Sequence, residues 1–326
     1  MNEADILDRL RRIATHPAAR GLVDDVALVG DLVITHDTIA EGVHFLPEDP
    51  PESVGWKLVA VNLSDLAGKG AEPLAALLSL TLTGAAEWDV RFLSGIEASC
   101  ESYGLPLVGG DTIALPAGAP RVLGLTAIGR AGDRTPSRAG GKPGDSLWLI
   151  GTVGDSAAGL ASLQADPKAE GQLVDIYRRP IPLLDAGRRL APHANAMMDV
   201  SDGLLLDAWR LAQASGCGAV IDLDTLPLSR AFVADRGDGL SARMFAATGG
   251  DDYALLAAFP AGFDPSLRLS LPSGPTVSRI GSLAAPGSPL SLVSGGRTVQ
   301  VPEKLGFEHA DDHDRDNDAP PMGDRP

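Results

Sequence analysis

The stretch LVDDVALVGDLVITHDT, residues 22–38, reads as two short apolar strands around Gly30-Asp31, with the acidic residues gathered at the strand ends. Glycine at the first position of a two-residue loop favours a hairpin whose facing residues sum to 61. Asp25 then faces His36 and Asp24 faces Asp37. The turn thus carries Asp24, Asp25, Thr35, His36 and Asp37 to one end of the hairpin. In the ideal register Asp25 and Asp37 point to opposite faces, so joint ligation of one ion requires a bulge or fraying at the strand ends. A solvated hairpin end with ordinary acidic caps is the plain alternative, and the hairpin alone does not choose.

Outward from the hairpin, strand and helix patterns alternate. The opening MNEADILDRLRRIATH is a charged amphipathic helix over about 3–14. ESVGWKLVAVNLSDLAGKG follows helical spacing through Val54, Leu58, Val61 and Leu66 until Gly68 and Gly70. LAALLSLTL is a strand, VRFLSGIEASCESYG a helix ending at Gly104, LPLVGGDT a short strand entering a Gly-Gly turn, and RVLGLTAIGRA another strand. The Gly-, Pro- and Arg-rich segment 132–145 is the domain junction. Beyond it, SLWLIGTVGDSAAGLASL and NAMMDVSDGLLLDAWRLAQASG each read strand, loop, helix, with Leu204, Ala208, Leu211 and Ala212 on one helical face. GAVIDLDTL, GGDDYALLAAF, TVSRIGSL and the stretch around Leu292 supply further strands. The expected fold class is α+β, with mixed sheets packed with helices in two domains, 1–134 and 135–307. The tail, 308–326, has seven acidic against two basic side chains, net −5, and is expected to be disordered.

A chain of 326 residues, 44% apolar and 21% charged, is long enough for a substantial core. The apolar run Leu74–Leu82 is far too short to span a bilayer, and the N-terminus lacks a secretory apolar region, so a cytoplasmic protein with no membrane partner is expected. Cys100 and Cys217 form no metal or disulfide spacing. A formal charge of −16 opposes sequence-independent nucleic-acid binding. Phosphates can approach so acidic a chain only where cations intervene, and hard cations such as Mg²⁺ take oxygen ligands.

Four further aspartate sites stand out. Asn62 and Asp65 lie three apart on one helix face amid apolar neighbours, where a polar side chain is costly unless satisfied. Asp111 follows Gly109-Gly110, residues that permit close ligand approach. Asp199 ends an apolar strand, just before Ser201 and Asp202 at a helix start that favours anions. Gly249-Gly250 precede Asp251-Asp252. Helix capping or simple turns explain several of these nearly as well. No Walker, kinase-loop, GxSxG or HExxH motif is present.

Taken in order, DDVALV, THDTIAEGVHF, AVNLSDLAGKGAEP, LVGGDT, KPGD…GTVGDSAAGL, DVSDGLLLD and GGDDYALL resemble the thiamine-monophosphate kinase family, whose superfamily includes aminoimidazole ribonucleotide synthetase and selenophosphate synthetase. The resemblance runs from about residue 5 to about residue 309. It implies the two-domain fold of aminoimidazole ribonucleotide synthetase, with residues 1–134 binding metal and ATP and forming a homodimer through the N-terminal sheets. The implied activity is ATP- and Mg²⁺-dependent phosphorylation of thiamine monophosphate to thiamine diphosphate. Carried over by motif, Asp25, Thr35, His36, Asp37, Asp65, Asp111, Asp199 and Asp202 would surround several Mg²⁺ ions, His36 through its backbone carbonyl. Gly110, Asp111, Arg138 and Ser201 would contact ATP; His44, Asp251 and Phe307 would hold the thiamine end.

Three motifs depart from the family pattern: His36 stands where Thr is usual, GGDDYA replaces GGEDYE so that Asp251 is one methylene shorter than the usual Glu, and AGKGAEP replaces AAMGAxP, with no role evident for Lys69. A phosphate monoester acceptor is already largely dianionic near neutrality, its second pKa being about 6. No catalytic base or covalent nucleophile is therefore expected, and the aspartates position metal for direct in-line transfer. The alternatives are another ATP-dependent enzyme of the superfamily and a noncatalytic metal and nucleotide sensor.

Overall fold

The structure, a computed structural model, describes residues 3–116, 118–269 and 274–308. The acidic tail from 309 onward lies outside the described residues. The first domain runs α1 (Glu3–Ile13), β1 (Ala27–Val29), β2 (Leu32–Ala40), α2 (Pro51–Gly68), β3 (Glu72–Leu82), α3 (Ala86–Tyr103), β4 (Leu107–Ala114) and β5 (Val122–Arg130). Its sheet has the order β1-β2-β5-β3-β4, antiparallel except for β3 beside β4. The second domain runs β6 (Ser146–Ile150), α4 (Asp155–Ala165), α5 (Gln172–Arg178), α6 (Leu184–Leu190), β7 (Ala196–Val200), α7 (Leu204–Ala214), β8 (Gly218–Asp222), α8 (Arg230–Arg236), α9 (Leu240–Thr248), β9 (Ala254–Phe259), β10 (Val277–Ala284), β11 (Leu290–Ser294) and β12 (Arg297–Val299). Its sheet has the order β12-β11-β8-β10-β6-β9-β7, antiparallel except for β11 beside β8. The fold is α+β with mixed sheets packed with helices, as expected.

The opening hairpin keeps the register set by its turn: Ala27 faces Ile34, Leu28 faces Val33 and Val29 faces Leu32. Pairing stops at Ala27, and residues 24–26 bend out of the ladder. On β2, Val33, Thr35 and Ile39 are buried while His36 and Thr38 are exposed, so alternate residues face opposite sides of the sheet.

Sixteen of the 18 residues of α2 are buried, the mark of a helix enclosed on all sides. One side covers β2 and β5, another meets α3, and its end meets α6 and β7 of the second domain. The approach is backbone to backbone. A Cβ added at Gly55 would lie 2.3 Å from Phe92 O, and one at Gly187 would lie 2.1 Å from Ala67 O. Leu58, Leu63, Leu66, Leu123 and Leu125 form the core beneath the first sheet. Ala67, at the end of α2, belongs to a different cluster with Leu190, Met197 and Phe259.

One expectation fails. Gly109-Gly110 does not turn; β4 runs through both glycines to Ala114. Gly110 is required for close packing instead, because a Cβ there would stand 1.9 Å from Leu78 O on the neighbouring strand.

Candidate functional site

Three elements meet where the first domain faces the second. The bend at 24–26 supplies Asp25, the last turns of α2 supply Asp65, and β7 supplies Asp199. Each offers one carboxylate oxygen, and these oxygens all lie within 4.8 Å of one another. Breaking the hairpin at Asp25 frees it from the face that ideal pairing would dictate. Thr35 Oγ1 stands between the Asp65 carboxylate and Asp25 O, the latter at 3.3 Å. The buried Asn62 is satisfied: its amide donates to Leu58 O at 2.9 Å, and its Oδ1 accepts from the Asp37 backbone at 3.0 Å. That contact anchors Asp37 beside the cluster, and Asp37 and Asp202 line the same cavity of about 350 Å³.

The electrostatics of this floor are unbalanced. Burial, then the charges of Asp25 and Asp202, pushes Asp37 up to about 6. Burial, then Asp25, pushes Asp199 up to about 7. Asp65 is raised well above the carboxylate range by burial, with Asp37 and Asp199 adding to it. Asp25 runs the other way. Burial would raise it, but the Lys69 and Arg138 charges together lower it to about 2. Lys69 itself, whose pKa burial would lower, is held above the usual lysine value by Asp25 and Asp24. Buried carboxylates that repel one another, with hard oxygen donors converging, fit a divalent cation of the Mg²⁺ kind and offer no soft ligand.

The same cavity is also lined by His44, Tyr177, Asp251 and Phe307. Lys57 on α2, 2% exposed, ties three of these together. Its ammonium donates to His44 O at 2.9 Å and to Asp251 Oδ2 at 2.7 Å, and lies 4.1 Å from the centre of the Tyr177 ring. Asp251 (φ 65°) and Tyr253 (φ 52°) both adopt left-handed backbone conformations. Such strain in non-glycine residues persists only where surroundings enforce it. Here Asp251 N donates to Ser201 O at 2.7 Å, Tyr253 N to Val200 O at 2.8 Å, and Tyr253 Oη to Asp251 Oδ1 at 2.8 Å. Phe307 N donates to Asp202 O at 2.7 Å.

The structure therefore brings together Asp25, Thr35, Asp37, Asp65, Asp199, Ser201 and Asp202, with His44, Asp251 and Phe307 lining the same cavity. Arg138 also arrives, but as a partner of Asp25. Gly110 and Asp111 do not join the cluster within one chain, and of His36 only the side chain points away from it, its backbone running between Thr35 and Asp37. The His36 imidazole lies on the far face of the sheet, with Nδ1 2.9 Å from Thr126 Oγ1. Asp111 faces Ser79 in register, and Ser79 is on the exposed side of β3, so strand alternation turns Asp111 away from the cluster.

Two residues escaped the sequence reading. Lys57 interrupts the apolar helical run GWKLVAV, and Asp207 interrupts LLLDA; a charge inside such a run is the signal that could have found both. Asp207 accepts from Ser201 N and Asp202 N, each at 3.1 Å, and so fixes the loop that presents them. Burial and the nearby Asp202 charge push Asp207 up to about 8.

Residues 23–131 match the family described as AIR synthase related protein, N-terminal domain, and residues 142–254 match its C-terminal domain. The thiamine-monophosphate kinase of Salmonella typhimurium is 38% identical over 301 residues, spanning 89% of this chain and 91% of that protein. The enzyme of that name from Caulobacter vibrioides is 36% identical over 322 residues, 94% of this chain and 90% of its own. Among solved structures, AaThiL complexed with AMPPCP and TMP superposes with a TM-score of 0.81 at 31% identity, covering 95% of this chain and 97% of that one. Thiamine-monophosphate kinase from Stenotrophomonas maltophilia gives 0.72 at 34% identity, covering 90% and 96%.

Proposed function

The chain belongs to the thiamine-monophosphate kinase family, built from the two AIR synthase related domains, and from that membership we propose that it transfers the γ-phosphoryl group of ATP to thiamine monophosphate, giving thiamine diphosphate and ADP. The observation that carries the proposal is the convergence of Asp25, Asp65 and Asp199 in one cavity that is also lined by His44, Asp251 and Phe307. Two anionic phosphates must meet there. Mg²⁺, held by Asp25, Thr35, Asp37, Asp65, Asp199 and Asp202, would neutralise their charge and align them.

The protein's own groups do the rest. Ser201 and Arg138 meet ATP, with Asp207 fixing the loop that carries Ser201. Lys57 holds Asp251 and the His44 backbone in place for the thiamine end. The acceptor needs no base, its second pKa being about 6, and no side chain takes up the phosphoryl group, so transfer is direct and in line.

The domain division at 134/135 belongs to the same reading, as do a cytoplasmic location, where ATP is supplied, and a homodimer through the outer face of the first sheet. What supports the dimer is that β4 is exposed along its whole length and Leu77, Val108, Ile113 and Val122 are exposed apolar residues on that sheet. In such a dimer Gly110 and Asp111 of one copy meet the nucleotide at the site of the other.

The test is incubation with ATP, Mg²⁺ and thiamine monophosphate. Equal amounts of thiamine diphosphate and ADP are expected; ATP binding without either product would favour the sensor reading instead.

A further inference from the structure

Lys69 caps the C-terminal end of α2 with no exposed surface. A buried ammonium is tolerated only where its donors are matched, and it has three. They meet Asp24 Oδ1 at 2.5 Å, Asp25 Oδ2 at 3.1 Å and Met197 O at 3.0 Å. The three acceptors come from the bend after the N-terminal helix and from β7, so one side chain at the end of α2 fastens both walls of the acidic floor.

Asp24 is equally enclosed and does not line the cavity. Its Oδ1 accepts from Asp25 N at 3.1 Å, and its Oδ2 faces Arg20 Nε at 3.1 Å. Asp24 is therefore no ligand. It is a fixed negative charge one residue from a ligand, and Lys69 stands against both.

We propose that Lys69 is a permanent internal cation of the acidic floor, which offsets Asp24 and supplies charge compensation that divalent ions would otherwise have to provide. The inference rests on the reading of that floor as a Mg²⁺ site. A neutral side chain at 69 leaves Asp24 and Asp25 less compensated, so the metal-free protein loses stability while the floor attracts divalent ions more strongly. A unit charge a few ångströms away in a partly wet site changes divalent-ion affinity by about tenfold or more. A merely structural lysine predicts the opposite, since a loosened site binds metal more weakly.

The experiment compares the full-length protein with Lys69→Met and with the charge-balanced Asp24→Asn/Lys69→Met. Mg²⁺ alone, without nucleotide, is titrated by calorimetry, and melting is followed with and without Mg²⁺. Lys69→Met is expected to melt lower in metal-free buffer, to bind Mg²⁺ about tenfold more tightly and to gain more from Mg²⁺ than the parent. The double variant is expected to return both values towards the parent's. Unchanged or weaker Mg²⁺ affinity in Lys69→Met overturns the proposal. If Lys69→Met does not fold, a folded double variant with parental Mg²⁺ affinity supports it, whereas failure of both assigns Lys69 to packing and overturns it. A parent protein that ignores Mg²⁺ removes the metal reading together with this inference; a Mg²⁺-responsive parent with an indifferent Lys69→Met removes this inference alone.

Discussion

Asp199 and Asp65 are held where their own charge is unwelcome, and that cost should be measurable without any substrate. An aspartate whose folded pKa lies above its usual value of 3.8 keeps a proton that the unfolded chain has already released, so it lowers stability as pH rises through that interval. For Asp37, near 6, and Asp199, near 7, the window runs from about pH 4 to pH 7. Asp25, near 2, has the opposite sign: its contribution is complete above about pH 4 and is lost as pH falls towards 2. Metal-free protein is therefore expected to melt higher at pH 5 than at pH 7.5, and saturating Mg²⁺ to raise the pH 7.5 value more; scanning calorimetry in EDTA and in Mg²⁺ checks both, and a metal-free protein more stable at pH 7.5 would contradict the charge reading. The same conflict predicts that Asp199→Asn keeps or raises the metal-free melting temperature while turnover falls by about a hundredfold or more. A variant that melts well below the parent would mean Asp199 is structural.

At the scale of elements, α2 decides the arrangement, and its contacts are glycine contacts. Gly55 and Gly95 let α2 and α3 touch through their backbones: a Cβ at Gly95 would come within 2.1 Å of Glu52 O. Gly55→Ala should cost about 2 kcal/mol through overpacking, read from urea unfolding, with turnover per folded molecule unchanged because Phe92 and Ile96 lie away from the cavity. Lost turnover at unchanged stability would refute this. Much of the element order was legible because its signals are local. Gly30-Asp31 fixed the hairpin register, Gly104 ended α3, and short apolar runs marked β3 and β5. The roles of Lys57 and Asp207 were not legible: Lys57 depends on Asp251, far away in sequence, and Asp207 on the 201–202 loop five and six residues before it folding back onto its carboxylate. Lys69 shows the same limit, being unintelligible in AGKGAEP and plain once Met197 O stands beside it. The glycines of LVGGDT misled for a related reason: a turn and a close strand contact both demand glycine, and only the neighbouring Leu78 distinguishes them.

For the whole molecule, the two faces of the first sheet have different tasks. The inner face carries Thr35 and Asp37 towards the second domain, and the outer face carries His36, Thr126 and Asp111 to the surface. If two copies meet on that outer face, Asp65→Ala and Asp111→Ala damage different halves of a shared site. Mixed after dissociation and reassociated, the two inactive proteins should recover roughly a quarter of parental activity, since half the dimers are mixed and each has one intact site. No recovery would confine Asp111 to its own chain.

The enclosure of α2 also governs how the chain must be made. Its last residues emerge near position 68, but Gly187, Met197 and Asp199, which cover its second side, lie some 120–130 positions later. At roughly 5–20 residues per second, the ribosome leaves that apolar side uncovered for roughly 6–25 s. A nascent first domain is thus sticky by construction, and its need for a chaperone should end when β7 leaves the exit tunnel.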